Sequence, residues 1–446
     1  MLLLIAGCIF YSFFNWYYLL IVFSSITVDY FCSLKIHNSS EDQTKKRYLF
    51  LSLAVNLLIL IIFKYFDFFS SCFLSISSFL GHTIDLTFLK LIFPVGISFY
   101  TLRIMSNTID VYMGRIKPSK NYFEYALFVL FFPIILAGPI MRSKELLPQI
   151  SENRILSFDK IREGSFLIFW GLYQKIYIAD NLAKISSAIL DAKQFTNGAN
   201  ILIGIYAFSF QIYCDFAGYS NIAIGLGKCL GFNISVNFNF PYFSKNPQDF
   251  WQRWHITLSN WLRDYCFYPF ALILRRFGLY GTAFAVFITF ILCGIWHGAS
   301  FMYVLWGIFW GVLLAVYMLI RPFLKKHLIN NGTIFNKILN ILTIFLFFHI
   351  ICLSWLIFRS QNLDQFLLLI KNLFFNFNLN YFVGIKELIC YILLFIIVDI
   401  YSYVKKDQLI VLSLPVPVRA VLYVIIFYCI VLGGVKVSGE FIYFKF

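Results

Sequence analysis

The stretch FGLYGTAFAVFITFILCGIWHGASFMYVLWGIFWGVLLAVYMLI, from Phe277 to Ile320, decides the fold of this chain. Arg276 and Arg321 bound it, and it holds no Asp, Glu, Lys or Arg. A helix that crosses a bilayer needs about 20 apolar residues, so the run has room for two spans. His297 falls near its middle, in Gly294-Ile295-Trp296-His297-Gly298-Ala299-Ser300. An ionisable group inside a membrane segment is costly and marks a functional site by default. The flanking glycines suit a turn as well. Two readings of His297 are therefore open, a buried site or a turn histidine wetted at the bilayer surface.

Outward from this run, the chain keeps the same character. Of 446 residues, 61% are apolar and 13% charged, against about 45–50% and 25% in globular proteins, and the mean hydropathy is +0.80. This predicts an all-α polytopic membrane protein. The 55 Phe and 28 Tyr suit lipid-facing helices and interfacial belts. A net charge of +15 reads as Lys and Arg gathered in loops facing anionic lipid, not as a nucleic-acid surface. The ten cysteines show no Cys-x-x-Cys pair, so neither a disulfide framework nor a zinc site is indicated.

Residues 1–28 carry no charge and lack the basic start of a signal peptide, so Leu2–Phe23 is expected to be a retained span. The loop from Lys35 to Arg47 is basic, which makes it cytoplasmic and puts Met1 outside. Tyr48–Leu80 is apolar apart from Lys64 and Asp67, which lie at helical pairing distance. A polar segment is expected over Arg103–Lys120. A span is expected over Tyr125–Met141 despite Pro133 and Gly138-Pro139, breakers that a bilayer tolerates where protein satisfies the freed backbone. Ser165–Ile178, Ile201–Leu226, Ile338–Phe358, Leu388–Ile400 and Ala420–Leu432 complete about ten or eleven spans. With no repeat and no long linker, residues 1–446 read as a single membrane-embedded domain.

Two further stretches carry candidate chemistry. Asn246–Arg263 reads as one amphipathic helix, with Asn246 as cap, Pro247 at the first position and Asp249 placed for a capping box. Trp251, Trp254, His255, Leu258, Trp261 and Leu262 share its apolar face, with Arg253, Thr257, Asn260 and Asp264 on the other. An interfacial helix explains the tryptophans but not a histidine on the apolar face, so His255 is a second candidate. Asp215 is the one charged residue of Ile201–Leu226, with Gln211 and Tyr219 four residues away on either side. It needs donors or a cation beside it, either as a polar knot between helices or as the lining of a cavity.

Other chemistries fall away. The six histidines show neither His-x-x-His nor His-x-x-x-His spacing, so no metal site is indicated. No Walker-type glycine loop and no Gly-x-Ser-x-Gly elbow is present. His37, His82 and His327 adjoin polar loops, and His349 reads as a satisfied core histidine. What remains is a dehydrated site with two histidines. An imidazole kept neutral there can take the proton of an attacking hydroxyl, an effect worth roughly 10²–10⁴ in rate.

These stretches resemble a known family. Asp249-Phe250-Trp251-Gln252-Arg253-Trp254-His255-Ile256-Thr257-Leu258-Ser259 and Gly294-Ile295-Trp296-His297-Gly298 are similar to motifs of the membrane-bound O-acyltransferases. The branch that O-acetylates alginate and peptidoglycan is the most similar. Pro94-Val95-Gly96-Ile97-Ser98-Phe99-Tyr100, Ala137-Gly138-Pro139-Ile140, Asp215-Phe216-Ala217-Gly218-Tyr219-Ser220, Asn237-Phe238-Asn239 and Phe441-Ile442-Tyr443-Phe444 match in the same order.

The resemblance implies a helical bundle around a central channel, with His297 catalytic and His255 assisting. Trp296, Arg253, Trp254, Gln211, Asp215, Tyr219 and Asn260 would line the channel, and Arg253 and Arg263 are open to contact with donor phosphates or lipid headgroups. It also implies an acyl thioester donor such as acetyl-coenzyme A, no bound cofactor, a periplasmic acyltransferase partner and an envelope-polysaccharide acceptor. The place would be a bacterial cytoplasmic membrane. Two departures stand out. Relatives have an apolar span before the one that starts here at Leu2, and the branch often carries a histidine where Trp310 stands in Trp306-Gly307-Ile308-Phe309-Trp310-Gly311. The rival functions are D-alanyl transfer to teichoic acid and a transporter or flippase with proton-relaying histidines.

Overall fold

The computed structural model describes residues 1–79, 94–192, 197–327, 334–378, 384–435 and 441. His82 and Ile442–Phe444 lie outside the described residues, as do the side chains of Asp67 and His327. Among the described residues the chain is helical with no strand, and eight helices are long and apolar enough to cross a membrane. The all-α polytopic architecture stands. Some apolar stretches, 158–190 among them, are interrupted and do not count as single long helices.

The chain forms two compact units. The first holds α1 (Leu2–Ser12), α2 (Tyr17–Asn38), α3 (Asp42–Phe79), α4 (Ile97–Tyr112), α5 (Tyr122–Leu130) and α6 (Ser143–Ser151). Three expectations change here. The span over Leu2–Phe23 is broken after Ser12, where the Asn15 side chain accepts the Tyr17 N–H at 3.0 Å and starts a new helix. Much of the polar segment over Arg103–Lys120 is helix α4, and its Arg103, Asn107, Thr108 and Asp110 are buried. The span over Tyr125–Met141 leaves the helix at Leu130.

Arg103 explains the last two changes together. Its guanidinium is fully buried and donates to the carbonyls of Phe128 and Val129 at 3.1 Å and of Ile134 at 2.9 Å. Backbone freed by Pro133 is thus satisfied by a side chain, the condition under which irregular chain is tolerated at membrane depth. Asp29 of α2 is a second buried polar centre. It accepts from Ser52 of α3 at 2.6 Å and Asn107 of α4 at 3.1 Å, and from the hydroxyls of Thr108 and Tyr125. Four neutral donors hold this carboxylate and knot four helices.

The second unit holds α7 (Phe158–Leu172), a π-helical turn (Tyr173–Ala179), α8 (Asp180–Leu190), α9 (Gly198–Cys229), α10 (Pro247–Trp251), α11 (Ile256–Leu262), α12 (Tyr268–Ile273), α13 (Gly278–His297) and α14 (Phe301–His327). It continues with α15 (Ile334–Arg359), α16 (Leu363–Phe375), α17 (Ile385–Lys405) and α18 (Val416–Gly433). α9 is the most enclosed candidate span, and α18 the most open, with Val421, Val424, Phe427 and Leu432 turned outward to lipid.

Glycine contacts set the approach of α9 to α7. A Cβ on Gly164 would meet the Gly225 carbonyl oxygen at 2.6 Å, and one on Gly171 would meet that of Gly218 at 2.5 Å. Two glycine pairs, seven residues apart on each helix, bring the backbones together as small residues do in membranes. α13 and α14 meet the same way, since a Cβ on Gly294 would meet the Tyr303 carbonyl oxygen at 2.3 Å. The charge-free run Phe277–Ile320 is thus a packed helix pair, with His297 as the last residue of its first helix.

Candidate active site

The site is built around Asn237, which is wholly buried. Its carbonyl accepts the Ile256 N–H at 2.9 Å, and two residues on the Asn239 N–H donates to the Arg253 carbonyl at 2.9 Å. These two bonds clamp the chain on either side of residue 254. Helix α10 therefore stops at Trp251, and α11 starts only at Ile256. Between them His255 takes a left-handed conformation, φ 42° and ψ 53°, a cost of about 1–3 kcal/mol for a residue with a side chain.

The single helix expected over Asn246–Arg263 is thus two short helices. The reason is tertiary, since Asn237 pins the turn. The start matches the expected cap, because the Asn246 side chain accepts the Asp249 N–H at 2.9 Å with Pro247 behind it. The apolar set is also buried as a set, Trp251, Trp254, His255, Leu258, Trp261 and Leu262 all included. Thr257, assigned to the polar side, is buried too, because its N–H and hydroxyl both donate to Asn237 Oδ1, at 3.2 and 2.9 Å.

That contact fixes the chemistry of His255. An atom that accepts a backbone N–H is the amide oxygen, so His255 Nδ1, 3.2 Å from the same Oδ1, carries the ring proton. Nε2 then holds the lone pair. His255 lies outside the eight candidate spans and is 1% exposed. Burial pushes its pKa well below the ordinary imidazole value, so it stays neutral. The ring of Phe216, on α9, stands edge-on to it at 4.6 Å.

His297 has different surroundings. It is 4% exposed, so the wetted-turn reading of this histidine does not describe its burial. The rings of Trp306 at 5.0 Å and Phe358 at 5.3 Å stand nearly perpendicular to the imidazole. Trp296 borders both candidates, 5.0 Å from the His297 ring and 6.3 Å from that of His255. One indole therefore links two imidazoles that are far apart in the chain.

The other expected residues divide. Trp254 packs behind the site against Phe238, Tyr242 and Trp355. Tyr219 meets Phe441 at 5.1 Å, and Phe441 also meets Phe216. Asn260 lines a cavity of about 350 Å³ with Trp251, Ile256, Arg263 and Arg321. Gln211 turns to α8, where its Oε1 accepts from the Ser186 hydroxyl at 2.6 Å. Asp215 pairs with Lys175 at 2.8 Å, and Lys175 also reaches Asp180 at 2.8 Å. Arg253 is engaged within the protein, by Asp249 at 2.7 Å and the Asn239 carbonyl at 3.2 Å.

Sequence reasoning passed over Lys175, although it had required a donor or cation beside Asp215 and Lys175 stands alone in an apolar run. It also gave Asn237 no role, and it missed the Trp306 and Phe358 walls. Trp310 is fully buried and stacks on Phe250 at 4.9 Å and 5° between planes, so it is a packing residue. His349 accepts from Tyr206 at 2.7 Å through Nε2 and gives its other nitrogen to the Phe345 carbonyl at 2.8 Å. It is satisfied as expected, but half-buried and not part of the core.

Comparison with known proteins decides the family. Residues 109–360 match the model of MBOAT, the membrane-bound O-acyltransferase family. The chain belongs to that family. Among its relatives is the protein named "Probable alginate O-acetylase AlgI" of Pseudomonas aeruginosa, 37% identical over 82% of this chain and 67% of the relative. The peptidoglycan O-acetyltransferase of Helicobacter pylori is 32% identical over 83% of this chain and 73% of its own length. The teichoic acid D-alanyltransferase of Bacillus subtilis is 31% identical over 61% and 70%. This member of the membrane-bound O-acyltransferases is thus an enzyme, a multi-pass membrane protein in a lipid bilayer that moves an acyl group from a donor to an oxygen. His255 and His297 both lie within the matched residues.

Proposed function

We propose that this enzyme moves an acetyl group from a thioester on the cytoplasmic side, acetyl-coenzyme A, towards hydroxyls of a cell-envelope polysaccharide. The transfer is direct or passes through a periplasmic acyltransferase partner, and the enzyme sits in a bacterial cytoplasmic membrane. The whole of residues 1–446 works as one acyltransferase domain. The relatives named for alginate and peptidoglycan O-acetylation support this acyl group and this acceptor class.

One observation carries the mechanism. Two buried imidazoles border the same indole, and one of them has its proton position set by Asn237. In this reading His297 is the general base. It takes the acceptor hydroxyl proton as the oxygen attacks the thioester carbonyl. The C–O bond forms, the C–S bond breaks, and the proton passes on to the leaving thiolate. His297 ends a helix of 20 residues, and the carbonyl end of that helix favours the positive charge an imidazole gains as it takes a proton. His255 supports the same step as a neutral, oriented partner. Trp296, Trp254, Arg253, Gln211, Asp215, Tyr219 and Asn260 are its surroundings, with Asp215 and Gln211 acting through helix packing.

The similarity to a D-alanyltransferase of teichoic acid keeps a second reading, in which the acyl group is D-alanyl and the donor a carrier-protein thioester. One experiment separates the two. Envelope glycans of cells with wild-type protein or His297→Ala are assayed for ester-linked acetate and ester-linked D-alanine, with membrane protein levels matched. Loss of acetate alone supports the acetyl reading. Loss of D-alanine alone supports the second, and no loss of either removes His297 from catalysis.

A further inference from the structure

Away from the histidines, the first unit holds a cavity of about 460 Å³ between the loop after α4 and the start of α6. Lys117, Lys120 and Lys144 face it, against a single carboxylate, Glu124. That carboxylate is already engaged, by the Ser151 hydroxyl at 2.8 Å and the Asn121 amide at 3.3 Å. The lining is therefore cationic in balance, and all of it lies outside the eight candidate spans.

A second observation points to a ligand. Ser143 lines the cavity and is 1% exposed, yet its hydroxyl has no hydrogen-bond partner among the described residues. Buried hydroxyls are ordinarily satisfied, and an exception calls for an explanation. Ser143 is also the first residue of α6, a helix of nine residues with no side-chain cap. The N–H groups of Glu145 and Leu146 both go to the Arg142 carbonyl. The N–H groups of Ser143 and Lys144 are left at the open end of the helix, where backbone donors and the helix dipole favour an anion. Glu145, in the same turn, directs its carboxylate to Ser235 at 3.4 Å and does not line the cavity.

These donors line one cavity, and their number suits an anion with more acceptor oxygens than the two of a carboxylate. We propose that the cavity binds a phosphoryl group, held by the Ser143 hydroxyl, the amino end of α6 and Lys117, Lys120 and Lys144. The phosphoryl group belongs either to the headgroup of an anionic phospholipid or to a soluble phosphate ester.

The full-length protein, purified in detergent, is titrated with inorganic phosphate while its thermal unfolding is followed, with chloride at equal ionic strength as the control. Phosphate should raise the unfolding temperature and chloride should not. Lys117→Gln and Lys144→Gln should each weaken the phosphate response about fivefold, as one ion contact near a membrane surface does. Ser143→Ala should weaken it while leaving the unliganded protein at least as stable, because it removes an unsatisfied hydroxyl. The titration is repeated in nanodiscs of phosphatidylcholine with and without phosphatidic acid. Phosphatidic acid abolishing the response assigns the site to a lipid headgroup, and a response that persists assigns it to a soluble phosphate. No response in the wild type, or one unchanged in both lysine variants and in Ser143→Ala, overturns the proposal.

Discussion

The two imidazoles of the candidate site are both buried, and their surroundings differ. His255 is set by hydrogen bonds: its backbone is left-handed, its Nδ1 proton is committed to Asn237, and its protonation is suppressed by burial. His297 is set by ring walls, with Trp296, Trp306 and Phe358 around it at the end of α13. A ring fixed through its own ring nitrogen has a defined tautomer and one nitrogen to offer. The aromatic walls set where the second ring lies. The proposed mechanism gives positioning to the first and proton transfer to the second.

The largest effect that would break this contrast is at His297. His297→Ala should lower acyl transfer by roughly 10²–10⁴, the range of a general base, measured as free thiol released by purified protein. Next is the tether. Asn237→Ala removes the acceptor of the Thr257 N–H and of the His255 Nδ1–H, and losing the partner of a buried donor costs about 1–3 kcal/mol. A fall in unfolding temperature together with reduced activity is expected, whereas a change at His297's ring walls should not move the His255 tautomer.

A smaller effect sharpens the His255 side through pH. Burial lowers its pKa below the unfolded value of about 6.5. As pH falls the unfolded chain therefore takes the proton first, so stability is full above about 6.5 and declines below it. The slope reaches about 1.4 kcal/mol per pH unit. His255→Gln should flatten the drop in unfolding temperature between pH 7 and pH 5.5, and an unchanged drop would mean that this histidine is not buried neutral. The smallest effect is at Arg253, whose partner Asp249 is, like it, 24% exposed. Such a pair is worth at most about 1 kcal/mol, so Arg253→Gln should leave the dependence of rate on donor concentration within about threefold. A larger rise in KM for the thioester would restore Arg253 to donor binding.

The contrast also shows what a sequence can and cannot display. The two spans within Phe277–Ile320 and the position of His297 between them were legible, because charge-free length and one ionisable residue are properties of the run itself. The buried set on 246–263 was legible for the same reason, since periodicity survives a break in the helix. The break was not. It depends on Asn237, which reaches Ile256 and Thr257 from outside the local pattern. Arg103 read as loop because a guanidinium in a polar stretch looks solvated, and only the fold supplies the carbonyls of Phe128, Val129 and Ile134 that bury it. Asp215 stood out as an isolated charge while Lys175 was passed over, and the glycine contacts between α7 and α9 bring the turn that carries Lys175 beside it.

In the proposed mechanism both histidines serve one proton transfer, His297 carrying it and His255 orienting it. A double-mutant cycle on thioester turnover tests this most directly, with His297→Ala, His255→Gln and the double variant assayed side by side at equal protein. Residues that act as a unit are not additive. His255→Gln alone should cost activity, yet lower the rate by less than about threefold once His297 is already alanine. Losses that multiply in full, or a His297→Ala protein that retains wild-type turnover, would contradict it.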